Sequence, residues 1–184
     1  MKGVVFSELL DWIEQCHGVE VLDEVLLAAE LPCGGAYTSA ATYDWRELTA
    51  IVDVLAARTG GERAAILHAY GRHLFRVFAG RFADVVGAAA TPYDLLAGIG
   101  ARIEQEVAKL YSEPQLPRFS FTLTGSGLVL EYRSMRPLAD LAAGLVEACF
   151  AHYAVPVAIR ADGDAHQRRF EITELREAMC PTGR

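Results

Sequence analysis

Basic residues are scarce in this chain: 17 Lys and Arg stand against 24 Asp and Glu, a net charge of −7. A phosphate backbone is bound by clustered cations, so this balance argues against nucleic acid and anionic membrane as partners. Cysteine is also sparse, with four residues at 16, 33, 149 and 180 and no C-x-x-C pair. These read as thiols of a reducing compartment, buried or incidental. Long apolar runs are missing as well. The opening MKGVVFSELLDWIEQ is interrupted by Glu8, Asp11 and Glu14, which denies it both a signal peptide's apolar stretch and a membrane span's length. A cytoplasmic protein is expected. Signatures of catalysis are lacking too: there is no Walker loop, G-x-S-x-G, H-E-x-x-H, or kinase or cyclase pattern. Glu104 and Glu106 are two residues apart on a predicted helix, face different sides, and make a poor acid–base pair. The chain does not read as an enzyme.

What is present is a core. Of 184 residues, 52% are apolar, enough for one domain without a stabilising metal or disulfide. Phe6, Leu9, Leu10 and Ile13, then Val21, Val25, Leu26 and Ala29, recur at helical spacing and predict two short helices before Pro32 and Gly34–Gly35. A third is predicted between Asp44, an N-cap, and Gly60, a stop. Residues 62–79 carry Ile66, Leu67, Tyr70, Leu74, Phe75 and Phe78 over more than one stripe, which predicts a largely buried helix. Leu95, Leu96, Ile99, Ile103, Val107 and Leu110 predict the longest helix, from Pro92 to before Pro114. Alternation then sets in at Phe119–Phe121–Leu123 and Leu128–Leu130–Tyr132 around a turn at Gly125–Ser126–Gly127, predicting a hairpin. A helix over 138–153 follows, and two strands over 155–161 and 169–173 flank a turn at 161–164. Arg160, Arg168 and Arg169 among Asp162, Asp164 and Glu171 read as a solvated face. The expected fold class is α+β, a helical N-terminal part followed by an antiparallel sheet with packed helices.

One segment carries recognisable chemistry. Tyr132, Ser134 and Arg136 form a Tyr-x-Ser-x-Arg pattern at the end of a predicted strand, where alternation would set all three on one face. Two hydroxyls and a guanidinium make an anion clamp suited to a carboxylate. On the pattern alone a polar strand face is the favoured reading, since a three-residue motif recurs by chance.

The pattern resembles the haem-propionate clamp of the haem–nitric oxide/oxygen binding (H-NOX, HNOB) family. Further segments are similar to that family in the same order: Met1-Lys2-Gly3 with Phe6, Gly34 to Thr38, Tyr43-Asp44, Gly71 to Phe75, Lys109-Leu110-Tyr111, and Leu116 to Phe119. The resemblance runs from Met1 to about Tyr153 and implies a single domain over 1–184, with a distal helical subdomain over about 1–60 and a proximal helix-and-sheet subdomain over about 61–184. It implies a haem b cofactor, or another tetrapyrrole, held by Tyr132, Ser134 and Arg136, with Pro117 packed against the porphyrin. It also implies a diatomic gas ligand, and a signalling partner such as a histidine kinase or a cyclic-di-GMP enzyme, as for the family's stand-alone bacterial members. Oxygen-binding members place a tyrosine where this chain has Leu141. With Val5, Leu9, Leu74 and Phe78, that position implies an apolar distal pocket without a donor for bound oxygen, favouring nitric oxide or carbon monoxide. Ordinary core packing accounts for the same residues.

The proximal side departs from the family. A family pattern similar to Ile-His-x-x-Val-x-Lys-Leu-Tyr reads here Ile103-Glu104-Gln105-Glu106-Val107-Ala108-Lys109-Leu110-Tyr111, so Glu104 stands at the iron-ligating histidine position. Three readings stay open: Glu104 as an axial ligand of ferric haem, since a hard oxygen suits Fe(III); a tetrapyrrole held by the clamp with Glu104 unligated; or no tetrapyrrole. The expectation is therefore a sensor of nitric oxide or redox state, and the alternative is a non-haem binding or interaction module using its cavity for another hydrophobic ligand or none. Zinc at Cys149, His152, His166 and Cys180 has the atom types without close ligand spacing. His73 lies on a predicted pocket-lining segment, and the other histidines read as surface or structural.

Overall fold

The computed structural model describes residues 1–98, 117–125 and 127–175. Five helices come first: α1 (Val4–His17), α2 (Val19–Ala28), α3 (Trp45–Thr59), α4 (Arg63–Arg81) and α5 (Ala83–Ala88). Residues 92–98 are also helical. Strands β1 (Arg118–Thr124) and β2 (Gly127–Arg133) follow, then α6 (Ala139–His152), β3 (Val157–Gly163) and β4 (Gln167–Glu174). The strands form one antiparallel sheet in the order β1-β2-β4-β3. This is the expected α+β class.

The chain divides into two compact units. The first comprises Met1–Arg81 with Asp140–Leu145. In it, α1 buries Phe6, Leu9, Trp12 and Ile13, the positions a 3.6-residue period brings to one face. Helix α3 begins where Asp44 accepts the Arg46 amide at 2.9 Å and ends at Gly60, whose φ of 71° is the left-handed conformation glycine adopts without penalty. Helix α4 buries Ile66, Leu67, Tyr70, Gly71, Leu74 and Phe75, wider than one stripe, as its sequence predicts. The Tyr70 hydroxyl donates to the Val5 carbonyl, and Arg81 pairs with the buried Glu8 carboxylate, so two polar links tie α4 to α1. Gly71 and Gly144 let α4 and the start of α6 touch backbone to backbone. A Cβ on Gly144 would stand 2.0 Å from the His68 carbonyl oxygen, and one on Gly71 would stand 2.3 Å from that of Leu141.

The second unit comprises the described residues of Phe82–Ala139 and Val146–Arg184. Its core is the face made by Leu128, Leu130 and Tyr132 of β2 with Phe170 and Ile172 of β4, which are paired across the ladder as Leu128↔Ile172 and Leu130↔Phe170. Val146, Cys149 and Phe150 of α6 are buried in the same unit. Tyr93 sets its ring edge-on to Phe150 at 5.3 Å and donates its hydroxyl to Glu174 at 2.6 Å.

Some expectations shift. The turn expected at 161–164 sits at 164–166, because the Asp164 carboxylate accepts the amides of His166 and Gln167 and closes the chain there. Helix α5 is too short to carry a readable period. The predicted long helix is described only over 92–98, and its remainder lies outside the described residues. Among the described residues, no helix is long and apolar enough to cross a membrane.

Candidate functional site

Tyr132 is the penultimate residue of β2, and the strand ends at Arg133. Ser134 and Arg136 therefore lie beyond it, and strand alternation cannot be what gathers the three. A turn does so instead. The Ser134 hydroxyl oxygen accepts the Arg136 amide at 3.0 Å, and the Tyr132 hydroxyl donates back to the Arg136 carbonyl at 3.3 Å. The Ser134 side chain also meets the Tyr132 hydroxyl, so the two hydroxyls and the Arg136 backbone form one small network.

Tyr132 is 3% exposed. Burial raises its pKa, against the opposing pull of the Ser134 hydroxyl and the charges of Arg136 and Arg168. Burial wins, so Tyr132 stays a neutral donor. Arg136 is half-buried, with its Nε shielded from solvent. Arg168 is paired across the ladder from Tyr132 and shares its face, so the reading of Arg168 as part of a solvated face is corrected. Arg118 and Arg133 are cross-strand partners at the same end of the sheet. Alternation sets both of them on the exposed face opposite Tyr132, so the guanidiniums on the side of the two hydroxyls are those of Arg136 and Arg168. The donor set fits carboxylates, the groups that bind guanidinium through paired hydrogen bonds. Pro117 immediately precedes β1, where Arg118 pairs with Arg133, so extending the register sets it opposite Ser134.

The apolar candidates all belong to the first unit. Val5 and Leu9 are on α1, Leu74 and Phe78 on α4, and Leu141 on the first part of α6. Leu9, Leu74 and Leu141 are buried, whereas Val5 and Phe78 are intermediate. The Tyr70–Val5 bond brings Val5 to α4, and the Gly71 approach brings Leu141 there. None of the five side chains carries a hydrogen-bond donor. His73, on α4, packs its ring 6.5 Å from Trp12 and 6.4 Å from Tyr70. Its Nε2 is buried without a partner among the described residues, and burial lowers its pKa.

Glu104, with the Ile103–Tyr111 segment that fixes its register, lies outside the described residues, as does Cys180. Among the described residues, no group of three His, Cys, Asp or Glu is placed to hold a metal ion. Cys149 is fully buried, and burial raises its thiol pKa to about 12, while His152 is exposed. His166, which reads from sequence as a surface or structural residue, contacts the clamp loop: its Nδ1 is 3.1 Å from the Ser134 carbonyl. A bond across 32 positions leaves no periodic trace in sequence.

Comparison with known proteins bears on this arrangement. The Haem-NO-binding family model matches residues 2–161. The Fe(II) unliganded H-NOX protein of K. algicida is 29% identical, with a TM-score of 0.87 over 97% of this chain and 98% of that one. The S. oneidensis H-NOX protein in its Fe(II)NO ligation state is 31% identical, with a TM-score of 0.84 over 96% of this chain and 100% of that one. A mutant of the T. tengcongensis H-NOX protein, 20% identical with a TM-score of 0.83 over 97% of this chain and 100% of that one, shares the fold. No curated protein matches the chain. With a family match over most of its length and a fold shared end to end with solved members, this chain belongs to the H-NOX, or haem-NO-binding, family.

Proposed function

We propose that this chain is a haem-binding sensor of nitric oxide or redox state that signals to a separate protein, acting as one H-NOX domain over residues 1–184. The observation carrying this reading is the turn at Tyr132–Arg136, where a buried neutral tyrosine hydroxyl, a serine hydroxyl and a half-buried guanidinium converge. Haem presents two carboxylates, and this donor set is matched to them. When bound, haem supplies an iron that takes diatomic ligands.

This chain's own residues then set the selectivity. Arg136 holds a carboxylate by charge, Tyr132 and Ser134 brace the Arg136 backbone that presents it, and Arg168 adds positive field. Val5, Leu9, Leu74, Phe78 and Leu141 offer no N–H or O–H to a polar bound oxygen, which supports selectivity for nitric oxide or carbon monoxide. Glu104 stands where the family's histidine ligand resides. A carboxylate there favours Fe(III), so a redox readout belongs to the same proposal. The signalling partner is of the histidine-kinase or cyclic-di-GMP-enzyme class, and the chain itself is not catalytic.

The purified protein mixed with one equivalent of haem is expected to develop a Soret band that survives gel filtration. No retained band would reject haem binding in favour of a module with another ligand or none. In the same assay, Glu104→His is expected to give a five-coordinate ferrous spectrum, and its failure to do so would reject residue 104 as the ligand position.

A further inference from the structure

The β3–β4 hairpin meets the clamp loop through an unusual exchange of bonds. When two antiparallel residues form a hydrogen-bonded pair, each donates its backbone N–H to the other's carbonyl. One step beyond the pair Arg133↔Gln167, Ser134 and His166 make half of such an exchange, Ser134 N–H donating to the His166 carbonyl at 2.8 Å. The other half does not come from the backbone, because the His166 N–H is donated to Asp164 Oδ1 at 2.7 Å. The imidazole takes its place, with Nδ1 3.1 Å from the Ser134 carbonyl. A carbonyl only accepts, so Nδ1 carries the proton. At the far end of the loop, the Ala139 amide donates to the Ala165 carbonyl at 3.2 Å. The segment that presents Ser134 and Arg136 is therefore fastened at both ends to the tip of one hairpin.

We propose that His166 is a positioning residue for the anion clamp: its imidazole replaces a missing backbone donor and so holds the Ser134–Arg136 loop in the shape that aims its donors at a carboxylate. Reading that loop as a haem clamp is the proposed function above, and this inference rests on it. His166 touches backbone, not ligand. Asp164 is its accomplice, because the carboxylate occupies the His166 amide and forces the side chain into the donor role.

The test compares wild type, His166→Ala and His166→Asn, whose side-chain amide can replace Nδ1–H. His166 is exposed, so the fold tolerates both changes. Amide hydrogen exchange on the haem-free protein is expected to be roughly threefold to tenfold faster at Ser134 and Arg136 in His166→Ala, the range one ordinary hydrogen bond provides. His166→Asn should restore most of the protection, the thermal midpoint should hold, and haem affinity should fall by a similar factor in His166→Ala alone. Unchanged exchange at Ser134 and Arg136, or faster exchange throughout the second unit, would overturn the assignment. So would unchanged haem affinity alongside faster loop exchange. If the wild type itself binds no haem, the haem reading fails, and the exchange comparison alone decides whether His166 holds the loop.

Discussion

Glu8 is a carboxylate buried on α1, and its partner Arg81 is about half exposed at the end of α4. Arg81→Ala leaves that carboxylate in an apolar setting without its cation, and a loss of about 1–3 kcal/mol is expected from the urea midpoint. Asp164 shows the opposite exposure. Its carboxylate lies at the surface, and the amides of Gln167 and His166 hold its pKa below the ordinary value. A depressed folded pKa contributes stability that is complete above the unfolded value and lost as pH falls through the folded one. Protection of the His166 and Gln167 amides, measured against their intrinsic exchange rates, should therefore fall on acidification below the ordinary carboxylate range, and Asp164→Ala should lack that protection already at neutral pH. Cys149, its thiol pushed up to about 12 by burial, contrasts with exposed Cys16. A thiol reagent at neutral pH should label Cys16 in the native protein and reach Cys149 only after denaturation.

At the scale of elements, the helices were legible because burial follows a short period. The apolar positions of α1, α3 and α4 recur every three to four residues, and Asp44 and Gly60 mark the ends of α3 by local hydrogen bonding and local φ. The hairpin β1–β2 was legible from its period of two, with Phe121↔Leu130 and Leu123↔Leu128 paired as alternation predicts, although Leu123 itself is exposed. What escaped is non-local. The clamp loop leaves β2 at Arg133 and is shaped by bonds to residues 165 and 166, a dependence on chain segments that no pattern within either one encodes. The glycines of the α4–α6 crossing are similar: Gly71 and Gly144 look like helix-weakening residues until the opposing backbone is seen. Gly144→Ala would set its Cβ 2.0 Å from the His68 carbonyl oxygen, so the helices must separate, and about 1–3 kcal/mol should be lost in thermal unfolding. Helix propensity alone predicts a gain for that substitution, so the sign of the change discriminates.

At the scale of the whole molecule, a chain of net charge −7 sets Arg136 and Arg168 beside the Tyr132 hydroxyl at one end of the sheet. Tyr132, Ser134 and Arg136 were visible in sequence as residue types, but their convergence by a turn, and the help of Arg168, were not. Fold and family follow from the match over residues 2–161 and from the shared architecture. The functional claim rests on Arg136. The most direct measurement is a Soret-monitored haem titration of wild type and Arg136→Ala side by side. Stoichiometric binding by wild type, with affinity at least about tenfold lower in the variant as expected for loss of a charged hydrogen bond, is the predicted result; no Soret band in wild type, or equal affinity in both, would contradict it.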